Sequence, residues 1–213
     1  MSHVAVATRA LVWCCAALVA AACTRVVGGA AVPAFGRLGP LSGVDVDEVL
    51  LDQSRMRAIT GTGDDLTIIP SMDGKQLVDL DSLAQTAPRQ CRFFYADTAT
   101  FGVDVEQFHK TTFQYPPKRA LISEGAAGYR DVDTARRSFD TLVTTVEHCA
   151  TTSSGWLLVG EWSAQDDSLH TRPGACGRDY RVKSVVLVEV TFCGFPESVP
   201  DIVMTNITAK VPS

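Results

Sequence analysis

The most regular hydrophobic pattern in the chain runs from Asp131 to Cys149. Ala135, Phe139, Leu142, Val146 and Cys149 recur at spacings of four, three, four and three residues, which is one apolar face at helical period. Asp131 or Asp133 can cap the start of that helix. A different pattern runs from Cys176 to Cys193. Val186, Val188, Val190 and Phe192 alternate with Leu187, Glu189 and Thr191, which predicts a strand with the first set on its core face. With a turn near Lys183-Ser184, the whole stretch folds as a β-hairpin.

The remaining segments are shorter. Residues 42–61 predict one helix stopped by Gly61, with Val49, Leu50, Met56 and Ile59 on its buried side. Residues 64–70 predict a strand closed by Pro70, residues 71–88 a loop, and residues 90–97 an aromatic strand. A helical turn is expected over 98–103. Strands over 107–115 and 119–125 should form a hairpin around Pro116-Pro117. Residues 155–162 and 168–172 predict two more strands. A C-terminal helix over 197–211 would bury Val199, Ile202, Val203 and Ile207, with Pro200 in its first turn. Helix, strands, helix, strands, helix, with hairpins between the strands, is an α+β domain: a mainly antiparallel sheet with packed helices.

Composition narrows the class. The chain has 213 residues, is 46% hydrophobic and 20% charged, and carries a formal net charge of -5. That excludes a disordered chain. An acidic balance without a basic cluster argues against a nucleic-acid partner.

The N-terminus reads as an address. Arg9 is followed by 13 uncharged apolar residues, Ala10 to Ala22, long enough for a secretory signal and too short to span a bilayer, which takes ~20 residues. Ala20-Ala21-Ala22 before Cys23 resembles a bacterial lipobox, in which the cysteine is acylated and the signal is cut in front of it. Cleavage by an ordinary signal peptidase after Ala22 is the competing reading. Residues 1–22 are thus expected to be a lipoprotein signal peptide, Cys23 the lipidation site, and Gly/Ala/Pro-rich 23–40 a tether. Residues 41–213 are expected to form a single domain on the outer face of the cell membrane.

Removing the signal and acylating Cys23 leaves Cys91, Cys149, Cys176 and Cys193, an even number in an exported chain, hence two disulfides. The hairpin brings Cys176 almost opposite Cys193 at a bridgeable separation. Cys176–Cys193 is therefore preferred, and Cys91–Cys149 follows by elimination. The cysteine gaps are long and lack C-x-x-C, which argues against zinc.

Catalytic patterns are sparse. His109, His148 and His170 have no metal-ligand spacing, and no G-x-S-x-G, P-loop or dinucleotide fingerprint occurs. Asp64-Asp65 and Asp166-Asp167 read as solvated loop carboxylates. No cofactor, metal or catalytic residue is expected. Nothing resembles H-R-D or D-F-G, so no kinase is expected in this chain. The aromatics are more suggestive. Phe93, Phe94, Tyr95, Phe101, Phe108, Phe113, Tyr115, Trp156 and Trp162 lie on or near the sheet, and some of them would line a groove wherever the sheet is left uncovered.

Several stretches together resemble the PknH-like family of mycobacterial receptor-kinase sensor domains, a family that also occurs as stand-alone lipoproteins. They are the early "EVLL", Cys91 before aromatics, "TARRSF" and "VEHC" on the long helix, "ACGRDYRVKSVVLVEVTFC", and the closing "ITAKV". Val146 stands where the family usually carries Trp, and Gly177-Arg178 and Lys183-Ser184 depart from its hairpin. The resemblance implies an α+β domain with a cleft, two disulfides, a ligand-binding or sensing role and no enzymatic activity. The leading expectation is a non-catalytic, lipid-anchored binding module for a small-molecule or envelope ligand. The alternatives are a surface that works through a protein partner, and an exported hydrolase whose fold brings a His or Ser to a carboxylate.

Overall fold

The computed structural model describes residues 43–213. The export signal 1–22, Cys23 and the tether 23–40 lie outside the described residues. Seven strands form one sheet: β1 (Thr67–Gly74), β2 (Val105–Tyr115), β3 (Ala120–Tyr129), β4 (Glu161–Ala164), β5 (Ser168–Arg172), β6 (Cys176–Lys183) and β7 (Val186–Cys193). Their order is β1-β2-β3-β7-β6-β5-β4, and every pair of neighbouring strands is antiparallel. The α+β class with packed helices is as expected.

Helices cover both faces. On one face lie α1 (Val46–Val49), α2 (Gln53–Thr60) and α7 (Ser198–Lys210), packed with Phe113, Ile122, Val188, Val190 and Phe192. On the other lie α3 (Asp81–Ala84), α4 (Asp97–Phe101), α5 (Val132–Ala150), α6 (Gly155–Val159) and a 3₁₀ helix (Arg89–Phe94), whose core includes Phe101, Phe139, Leu142, Leu169 and Leu187. The long helix stands where its periodicity placed it, capped by the Asp131 carboxylate accepting from the Thr134 amide at 2.7 Å. The described residues bury two cores of their own and close both disulfides, so this stretch holds what it needs to fold by itself.

Several expectations are corrected. The helix over 42–61 is two helices, because Leu50 is extended and Asp52 starts a new cap on the Arg55 amide; Gly61 does end the second in the left-handed region, at φ 66°. The strand over 64–70 does not close at Pro70. It continues to Gly74 past a register shift, which an edge strand tolerates. Residues 89–94 are a 3₁₀ helix rather than a strand, and Cys91 within it is tied to α5. Residues 155–162 split into α6 and β4 at Gly160, whose φ of 64° breaks any continuous strand. Lastly, β7 has no single core face: Leu187 and Glu189 are as buried as Val188 and Val190, because this central strand lies between two helical layers. On α7, Val199, Val203 and Ile207 are buried, whereas Ile202 is exposed.

Both preferred disulfides are present. Cys176 and Cys193 are register partners on β6 and β7. Cys91–Cys149 joins the 3₁₀ helix to the last turn of α5.

Candidate functional site

The helical layer that carries α5 covers only part of its face of the sheet. Beyond Phe93 and Phe108 the central strands are roofed by the 3₁₀ helix and by the segment that leaves β1. A cleft of about 320 Å³ remains between roof and sheet. Its walls are apolar: Phe93, Phe94, Tyr95 and Phe108 inside, and Met72, Val78 and Leu80 at the rim. These three rim side chains are each about half exposed. The Cys91–Cys149 bond anchors the aromatic roof two residues before Phe93.

The floor is polar because each strand turns a hydrophilic residue to this side. β2 supplies Lys110 and Thr112, β3 supplies Ser123, β7 supplies Thr191 and β6 supplies Arg178, with the buried Glu189 of β7 paired to Lys110 and Arg178. Period-two alternation places them in neighbouring registers: Thr112 faces Ser123, and Arg178 faces Thr191. The two hydroxyls of Thr112 and Ser123 are 2.5 Å apart.

Charges on the floor are paired. Lys110 Nζ lies 2.7 Å from Glu189 Oε2 and 3.0 Å from Asp97 Oδ1. Arg178 approaches Glu189 Oε1 at 3.4 Å, donates to the Phe94 carbonyl at 3.0 Å, and holds its guanidinium 4.1 Å from the Phe94 ring centre. Burial pushes the Glu189 carboxyl up, but Lys110 and Arg178 outweigh it and hold that carboxyl below the usual range. Burial likewise works against the Lys110 ammonium, and Glu189 with Asp97 hold it above the usual lysine range. Burial, and then the Glu189 charge, pushes the neighbouring Tyr180 phenol up. The floor is thus ionised and neutral in sum.

Sequence reasoning anticipated a groove lined by some of the aromatics and did not find its floor. One signal was visible: Glu189 is a lone carboxylate within "VVLVEVTF", and a charge in an otherwise apolar central strand needs a buried partner. The partners, Lys110 and Arg178, come from two other strands and have no local spacing. Of the other aromatics, Phe101 and Phe113 are core, whereas Trp156 and Trp162 are exposed away from the cleft.

The histidines are placed as follows. His109 turns Nδ1 to Asp47 at 2.8 Å and Nε2 to Asp73 at 2.9 Å, so it ties α1 to the rim segment of β1. His170 Nδ1 lies 2.8 Å from the buried Asp179, which also accepts from Arg172 at 2.5 Å. His148 is exposed in the last turn of α5. The fold does bring two histidines to carboxylates, but among the described residues no serine hydroxyl is hydrogen-bonded to either. A second depression, of about 370 Å³, borders His170, Arg172, Glu161 and Glu197 at the β4 edge. Its lining is largely charged and it encloses little apolar surface, which makes it the weaker candidate for a small-molecule site.

Residues 41–210 match the PknH-like extracellular domain family. The chain belongs to that family. The crystal structure of the extracellular domain of PknH from Mycobacterium tuberculosis is similar to this fold, with a TM-score of 0.59 and 16% identity, covering 78% of this chain and 96% of that one. At that identity the likeness concerns the fold alone. None of the curated proteins matches the chain. For a PknH-like extracellular domain, two disulfides suit an oxidising compartment outside the cytoplasm.

Proposed function

We propose that this protein is a non-catalytic, extracytoplasmic binding module, held on the cell membrane by acylated Cys23, that takes its ligand in the cleft between the 3₁₀ roof and the central strands. The observation that carries the reading is the cleft itself: about 320 Å³, walled by apolar side chains, over a floor of converging polar groups. Family membership and the lipobox-like Ala20-Ala21-Ala22-Cys23 support it independently. A domain bound through two or more acyl chains and a tether stays at the membrane while its cleft samples the envelope.

Native mass spectrometry of the protein, purified gently from its own cell envelope, tests the binding half. A reproducible extra mass, lost on denaturation and absent from a Phe94→Ala variant, is the expected result. A bare chain mass together with a reproducible cross-linked protein partner would move the assignment to surface interaction. The anchor has its own test. Metabolic labelling with an alkyne fatty acid should mark the wild type and leave Cys23→Ser unlabelled, and equal labelling of both would remove Cys23 from the role.

A further inference from the structure

The charge arrangement of the cleft restricts what can enter it. Lys110 is engaged by Asp97 and Glu189, and Arg178 by Glu189 and the Phe94 carbonyl. Asp97 also accepts from the Val78 amide. At the rim, Asp73 is held by His109 and Thr111. Each of these charged groups therefore has a polar partner before a ligand arrives. An anionic head entering here meets cations already neutralised and three carboxylates nearby. A cationic head would have to displace Lys110 or Arg178 from its partner. Around the buried Glu189 either arrangement is costly.

Donors do remain for an uncharged head. An ammonium has three N–H groups, and Asp97 and Glu189 account for two of those on Lys110. When two hydroxyls pair, one hydrogen lies between them and the other is left to donate elsewhere, as with Thr112 and Ser123. Lys110, Thr112 and Ser123 all line the cleft. Phe94, Tyr95 and Leu80 offer the apolar surface on which a hydrocarbon body would lie.

We infer that the ligand is a neutral amphiphile, with an apolar body against the aromatic roof and an uncharged, oxygen-rich head (hydroxyl, ester or amide) on the Lys110–Ser123 floor. This rests on the cleft being the binding site. It adds the ligand's chemical class.

The test is a set of probes that share one eight-carbon chain: octyl glucoside, octanoate and octyltrimethylammonium, with free glucose as the head alone. Each is titrated by calorimetry, below micelle-forming concentrations, into the domain from residue 41 onward. Octyl glucoside should bind about ten-fold or more tighter than either charged probe, and glucose should bind far more weakly still. Asp97→Asn, which leaves the floor with one unmatched positive charge, should shift the preference towards octanoate. Octanoate or octyltrimethylammonium binding the wild type as tightly as octyl glucoside would overturn the inference and leave the cleft standing as the site. Glucose binding as tightly as octyl glucoside would overturn the amphiphile. Failure of all four probes to bind would overturn both the inference and the cleft reading beneath it.

Discussion

The guanidinium of Arg178, on β6, lies 4.1 Å from the centre of the Phe94 ring and donates to the Phe94 carbonyl at 3.0 Å. One residue belongs to the sheet and the other to the roof, so the contact fixes how far the cleft opens. Phe94→Ala removes the ring and its cation–π contact, which contributes ~0.5–2 kcal/mol, along with part of the wall. We expect ~1–3 kcal/mol of lost stability in urea denaturation and loss of cleft binding. Phe94→Leu should recover much of the stability and less of the binding. Full binding by Phe94→Ala would separate this contact from the site.

The two disulfides should differ in their consequences. In the chain-entropy model, loops of 17 and 58 residues correspond to ~3 and ~4 kcal/mol. Cys176 and Cys193 are also held in register by the β6–β7 ladder. Cys91 instead lies in a short 3₁₀ helix outside the strand ladders. Cys91→Ser with Cys149→Ser should therefore abolish cleft binding and lower Tm more than Cys176→Ser with Cys193→Ser, which should keep binding. Thermal melts and a binding assay on the two double variants check the order.

Glu124 is fully buried on β3 and accepts the Leu51 amide at 3.0 Å where the two N-terminal helices break. Burial pushes its carboxyl up to about 8, against an ordinary value of 4.5. A raised folded value means the folded state keeps a proton the unfolded chain gives up. Stability from this group is full below about 4.5 and declines as pH rises towards about 8. Glu124→Gln keeps an acceptor for Leu51 and cannot ionise. Relative to wild type it should gain stability on the order of a few kcal/mol at pH ~8 and little at pH ~4. Parallel denaturant titrations at the two pH values measure this. An identical pH slope in both proteins would refute it.

His109 joins α1 to the cleft rim through Asp47 and Asp73. The Asp73 carboxyl is held below its ordinary 3.8 first by His109 and then by Thr111, and that of Asp47 first by Lys75 and then by His109. Depressed values contribute stability above about 3.8, and it is lost as pH falls through the folded values. His109→Gln should speed amide exchange over residues 71–76 and leave β3 and β7 unchanged. Exchange that rises uniformly across the sheet would show a general loss of stability in place of a local tie.

What could be read along the chain was whatever its own periodicity and spacing determine. The α5 face from Ala135 to Cys149 needs only the 3.6-residue turn, and the Cys176–Cys193 hairpin needs only strand alternation and a turn, so both stand where expected. The disulfide pairing followed from that hairpin. Local chemistry also explains the misreadings. "QCRFFYAD" has the composition of a strand, yet it roofs the sheet from outside, and that position is set by the bond from Cys91 to a helix 58 residues later. "GWLLVGEW" reads as one strand until Gly160 is seen with a positive φ. The two-sided burial of β7 depends on its place between β3 and β6, a matter of strand order. The cleft floor is the furthest from local reading. Lys110, Glu189, Arg178 and Asp97 come from four segments spanning 97–189, and a salt bridge between them carries no sequence signature. Burial makes an unpaired charge costly, so the single sequence trace of the floor is Glu189 itself, a carboxylate in an apolar strand whose partners only the tertiary fold supplies.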